Sequence, residues 1–171
     1  NELTKISTSF SVNPSTHLGI AVGCGKIVVA DVDAETAYIY DLNGTELKSI
    51  TANDGAAFDY FGSSVAVGSG RIVVSSPYDS DNGSGSGSAY IFDLDGNQLA
   101  KITASDGAAS DRFGYSVAVG SGRIVVGSPR DDDKGSDSGS AYIFDLDGNQ
   151  LAKITASDGA ADDDFGYSVA V

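Results

Sequence analysis

The chain has no tryptophan and no methionine, and only one cysteine, one histidine and three prolines in 171 residues. A single cysteine, Cys24, excludes an internal disulfide, and its setting, GIAVGCGKIVV, suits a small residue at a tight turn. One Cys and one His cannot supply the ligand sets that zinc uses. A Ser-His-Asp triad would have to be built on His17, in an irregular N-terminal stretch, and is set aside. Cationic side chains are scarce: 10 Lys and Arg stand against 24 Asp and Glu, for a net charge of −14. That balance excludes the clustered cations needed to neutralise nucleic-acid phosphates, and it argues against an anionic membrane surface. It suits solubility and leaves divalent cations as possible ligands. No apolar run approaches the ~18 residues of a membrane-spanning helix, so no membrane insertion is expected. No signal-peptide pattern is seen, and the start at Asn1 rather than Met fits a processed product or part of a longer chain.

What the chain has in abundance is repetition. Residues 61–112 open FGSSVAVGSGRIVV and close KITASDGAASDR; residues 113–164 open FGYSVAVGSGRIVV and close KITASDGAADDD. Phe61, Phe113 and Phe165 are spaced by 52, and 44 of the 52 positions in the two complete copies are identical. A period of this size marks an array whose units bury their apolar faces against each other.

Each unit holds four short β-type runs, which in the third copy are Tyr115–Val119, Arg123–Gly127, Ala141–Leu146 and Gln150–Thr155. The first two are near-continuous runs of small and β-branched residues, expected to be buried on both faces. The last two alternate, as strands with one wetter face do. Ser121-Gly122 forms a tight turn between the first pair. Asp147-Gly148, with Asp95-Gly96 and Asn43-Gly44, reads as a type I′ hairpin between the second pair. With 22 glycines and no helical period, the chain is all-β. Four antiparallel strands per unit describe a β-propeller blade. The expected organisation is an outer strand at 1–7 from a preceding blade, blades at 16–52, 61–104 and 113–156, and the first strand of a following blade at 165–171. The first blade lacks about seven residues of its second-to-third-strand loop, reduced to ADVDAET. Three blades leave an open arc with two raw edges, which implies further blades of the same chain or another chain covering them.

The motif FGxSVAVGxGxIVVGSP resembles the FG-GAP repeat, the blade of the integrin α-subunit propeller. Phe61-Gly62 and Phe113-Gly114 match the FG, and Gly127-Ser128-Pro129 and Ser75-Ser76-Pro77 stand where the family has Gly-Ala-Pro. In the first blade His17-Leu18-Gly19 replaces the FG. The near-identical copies look most like FG-GAP repeat proteins of aquatic bacteria and their viruses. The resemblance implies a propeller of an adhesion protein. The integrin-type calcium loop between the first and second strands does not carry over, because that connection here is only Gly120-Ser121-Gly122.

In such a meander the second-to-third-strand loop and the blade-to-blade connector emerge on one face. Six of the eight differences between the complete copies fall there: Tyr78/Arg130, Ser80/Asp132, Asn82/Lys134, Gly85/Asp137, Ser110/Asp162 and Arg112/Asp164. Variable loops on a fixed scaffold point to a binding surface, with Tyr78, Arg112, Arg130 and Lys134 as candidate contacts, although loops unconstrained by packing also drift. The same loops carry Asp79 and Asp81, and Asp131, Asp133 and Asp137, around glycine. Such alternating carboxylates offer oxygen ligands to Ca2+, and Asp is also an ordinary turn residue. Asp106 and Asp158 are expected to cap turns, and Phe61, Phe113, Tyr90 and Tyr142 to pack between blades. Paired carboxylates recur in every long loop, so no unique acid–base pair marks an enzyme. The expectation is a non-enzymatic binding or adhesion module, extracellular or on a cell or virion surface. It would contact a protein or a glycan through the long-loop face. The alternative is a purely structural repeat of a larger appendage.

Overall fold

The structure is a computed structural model that describes residues 18–171. The outer strand expected at 1–7 and His17 lie outside the described residues. Among the described residues, twelve strands form three four-stranded antiparallel sheets, each a sequential meander. Blade 1 comprises β1 (Leu18–Gly23), β2 (Lys26–Asp31), β3 (Thr36–Asp41) and β4 (Glu46–Ile50). Blade 2 comprises β5 (Val65–Gly68), β6 (Arg71–Ser76), β7 (Ser88–Phe92) and β8 (Gln98–Ile102). Blade 3 comprises β9 (Ser116–Gly120), β10 (Arg123–Ser128), β11 (Ser140–Phe144) and β12 (Gln150–Ile154). Residues 166–171 run beside β9, with Val171 Cγ1 3.1 Å from where a Cβ on Gly120 would lie, but they form no strand.

The two short connections use different turn chemistry. Between first and second strands, Cys24-Gly25, Ser69-Gly70 and Ser121-Gly122 all have positive φ at both residues, the signature of a type I′ hairpin. The Asp-Gly turns, read above as type I′, are instead left-handed only at Gly44, Gly96 and Gly148. Asp93 explains this. Its carbonyl accepts the Gly96 N–H at 3.1 Å, while its carboxylate accepts the N–H groups of Asp95 and Asn97 at 3.0 and 2.8 Å. A right-handed turn closed by a left-handed glycine is the bulged alternative, and the strand register does slip between Ile91 and Phe92.

The sheets have little core of their own; the core lies between them. One apolar cluster joins Val28, Ala30, Ala37, Ile39 and Ile50 of blade 1 to Phe61 and to Ile72, Val74, Tyr90 and Phe92 of blade 2. The next repeats this one blade on, with Val73, Ile91 and Ile102 against Phe113, Ile124, Val126, Tyr142 and Phe144. The FG pair is explained here. Phe113 is fully buried and edge-on to Tyr142, with ring centroids 5.3 Å apart. Gly114 has φ +90° and no room for a side chain, since a Cβ would come 2.6 Å from the Ser88 carbonyl oxygen. Burial peaks in the second and third strands of each blade rather than the first and second, as expected above. Strands β5 and β9 are mostly half-buried whereas β6 and β7 are almost wholly buried. The first strand is a sheet edge, while the second and third have strands on both sides.

Candidate binding face and its inter-blade ion clusters

The long loops and the connectors do share a face, tied by backbone hydrogen bonds. Ser110 and Asp162 donate N–H to the carbonyls of Ser84 and Ser136, each at 2.9 Å. Blade 1 has no loop long enough to offer that carbonyl. There the Glu35 carboxylate accepts the Phe58 N–H, at 2.6 Å. The shortened loop leaves a cleft of about 570 Å³ lined by Glu35, Ala57, Phe58 and Tyr60 among others.

Beside it lies an aromatic and cationic surface. Phe58 is 78 % exposed, and Tyr60 and Tyr78 are also exposed. The Tyr60 and Tyr78 rings lie 4.8 Å apart, and the Arg112 guanidinium sits 4.9 Å from the Tyr78 ring centroid. Tyr60 and Tyr78, with Asp33 and Tyr115, line a second cleft of about 510 Å³. Phe58, Tyr78, Arg112 and Arg130, with Ser84 and Ser110, line a third of about 330 Å³. Phe58, Tyr60 and Arg112 all hold positive φ, at 75°, 58° and 56°. Bulky side chains rarely occupy this region, at a cost of order 1 kcal/mol each. The fold brings the expected contacts Tyr78, Arg112 and Arg130 together. Lys134 stands apart, folded over the following connector with its Cβ 3.3 Å from where a Cβ on Gly159 would lie. Phe58, Tyr60 and Tyr115 were not singled out by sequence reasoning. The signal was available at all three: the first two align with the variable positions Ser110/Asp162 and Arg112/Asp164, and Tyr115 itself replaces Ser63.

The acidic loops have a different arrangement from the one anticipated. Asp79 is buried, accepts the Tyr90 hydroxyl at 2.9 Å, and meets the Lys101 ammonium at 2.9 Å. The same ammonium meets Asp81 at 2.6 Å and Asp54, from the preceding connector, at 2.8 Å. Blade 3 repeats the cluster: Lys153 Nζ lies 3.0, 2.6 and 2.7 Å from Asp131, Asp133 and Asp106. Asp106, assigned above to a turn cap, reaches out to Lys153 and also accepts the Tyr142 hydroxyl at 3.0 Å. Burial works against the charge on each lysine, but the hydrogen bonds it donates to three carboxylates outweigh it and raise both pKa values well above the usual lysine range. Burial, reinforced by the hydrogen bond to Asp79 or Asp131, likewise raises the hydroxyls of Tyr90 and Tyr142. Asp137 lies outside both clusters, its N–H bonded to the Asp132 carboxylate at 2.8 Å.

The carboxylates of Asp106, Asp131 and Asp133 do offer oxygens within 4.8 Å of one another, a geometry compatible with a metal. Calcium, however, needs six to eight oxygens at ~2.3–2.6 Å. Here the centre of the triad is held by an ammonium in contact with all three groups. The residues present therefore fit a calcium ion only if Lys153 leaves.

A family model described as FG-GAP repeat matches residues 45–92, 97–144 and 149–171, more than half of the chain. The chain belongs to the FG-GAP repeat family. Each full FG-GAP match runs from the fourth strand of one blade to the third of the next, and so holds the three carboxylates of one ion cluster while the lysine that joins them falls in the following match. No curated protein matches the chain. Among solved structures it is similar to the crystal structure of the computationally designed Ika4 protein. The TM-score is 0.59 at 16 % identity, over 94 % of this chain and 81 % of that one, a likeness of fold alone. Among the described residues of this FG-GAP chain, no helix is long and apolar enough to cross a membrane.

Proposed function

We propose that the chain is a non-enzymatic binding module of an extracellular, cell-surface or virion protein, contacting a protein or glycan through the face built by its long loops and connectors. The observation that carries this reading is the surface of Phe58, Tyr60, Tyr78 and Arg112. Exposed aromatic rings beside a half-buried arginine are the composition of binding hot spots. Three of the four stand on left-handed backbone that the repeat imposes at these connector positions, shared by Ser110, Asp162 and Asp164, and bulky side chains are its less favoured occupants. The test is retention of the chain on whole cells and on printed arrays of glycans and proteins. Tyr78→Ala and Phe58→Gly are each expected to lose retention, with no loss of melting temperature for Phe58→Gly because glycine relieves the left-handed φ. Retention unchanged in both variants would refute the reading.

A second reading, a structural repeat that packs into a larger assembly, is favoured by the outer face of blade 3. Ile154 is 42 % exposed where its counterparts Ile50 and Ile102 are each 4 % exposed. Asp158, third in the series with Asp54 and Asp106, meets no lysine among the described residues. That face suits a further blade of the same type carrying the Lys-and-two-Asp set. Neither reading requires calcium, since an ammonium already sits among the carboxylates of each acidic loop.

A further inference from the structure

Resting on the binding-module reading, we infer that the cleft between the second and third blades takes the acidic group of an anionic saccharide, with Arg112 and Arg130 as its recognition pair. In a chain of net charge −14, two guanidiniums line one cleft of about 330 Å³. Among the described residues neither lies within ion-pair distance of a carboxylate, although lysines elsewhere each collect three. Like charges that line one cleft without an anion repel each other. An anion between them offsets that cost, because the guanidinium fork matches carboxylate and sulfate geometry with paired N–H donors.

The remaining lining favours a saccharide over an acidic protein segment. Phe58 and Tyr78 line the cleft with aromatic side chains, and Ser84 and Ser110 border it with hydroxyl-bearing ones. Rings that cover the apolar face of a sugar, beside hydroxyls and an anion site, match a polyhydroxylated acid. An enclosed apolar pocket, into which a protein hot-spot residue would insert, is not what these residues make. The cleft shares Phe58 and Tyr78 respectively with the other two clefts, and Tyr60 joins those two, so an extended chain can run along the face from the Arg end toward Glu35.

The experiment is a titration of the whole chain with a galacturonate oligosaccharide, read by tyrosine fluorescence, which no tryptophan obscures. Parallel arms use a sulfated oligosaccharide, a neutral galactose oligosaccharide of equal length, and a polyglutamate peptide. Saturable binding of a carboxylated or sulfated saccharide is expected, weakened about tenfold or more by Arg112→Gln and by Arg130→Gln at unchanged urea midpoint, and by loss of the acidic groups. The carboxylated and sulfated arms distinguish the two acids. No acidic-saccharide binding, or binding that both variants retain, overturns the assignment. Binding of polyglutamate alone, lost in Arg112→Gln, would also overturn it while leaving the binding-module reading intact.

Discussion

Asp111 shows how a single buried carboxyl sets a pH response. It lies in the connector before blade 3, 5 % exposed, and accepts the Ala108 N–H at 2.7 Å. Burial pushes its pKa up to about 6, helped by the charges of Asp131 and Asp132 and opposed by the Ala108 N–H. The folded state therefore holds its proton at a pH where the unfolded chain has lost it. The contribution of Asp111 is most favourable below about pH 4 and is lost as pH rises toward 6. Asp111→Asn keeps an oxygen acceptor for Ala108 but cannot ionise. Its expected effect is higher stability at pH 7, by about 1–3 kcal/mol, and a smaller difference at pH 4.5. Urea midpoints of both proteins at the two pH values check this. Equal differences at both values would show that Asp111 does not titrate in this window.

The blade is the element, yet its stability resides in its neighbours. Ile102 and Ile154 occupy the same position on identical QLAKI strands. One is sealed by the next blade, while the other faces outward at 42 % exposure. Ile102→Ala is expected to cost about 2–4 kcal/mol and Ile154→Ala well under half of that, because only the first opens a cavity. Denaturant unfolding of the two variants tests it; similar losses would place the core within blades rather than between them. The repeat itself was legible in the sequence, as were its four strands and the packing role of Phe61, Phe113, Tyr90 and Tyr142, because β-branched runs and turn residues act over a few positions. The order of burial was not legible. SVAV and SAYIF are similarly apolar, and only sheet order decides which is an edge.

Across the whole molecule, the lysine clusters pin one blade to the next, since Asp54 and Asp106 come from the connector of the preceding blade. Their composition tracks position: blade 1 has Ser49 where Lys101 and Lys153 stand. Lys101→Met leaves the buried Asp79 charge without its counter-ion, and the expected loss is about 3–5 kcal/mol. Thermal melts in calcium and in EDTA provide a second readout. The unmodified chain should melt identically in both, whereas Lys101→Met should regain part of its stability in calcium, through binding to the native state alone. A calcium-dependent rise in the unmodified chain would mean that the metal displaces the lysines.

From sequence alone came the period, the all-β blade, the face on which loops vary and the surplus of acid, because each is a matter of local pattern or of counting. The ion clusters and the cleft were decided only in three dimensions. Lys101 is 47 positions from Asp54 and 22 from Asp79, and a lysine on an alternating strand reads as a solvated side chain until the meander folds it back over the acidic loop. In the same way Phe58, Tyr78, Arg112 and Arg130 come from four separate segments, and it is the stacking of one blade on another that sets their side chains around a single cleft.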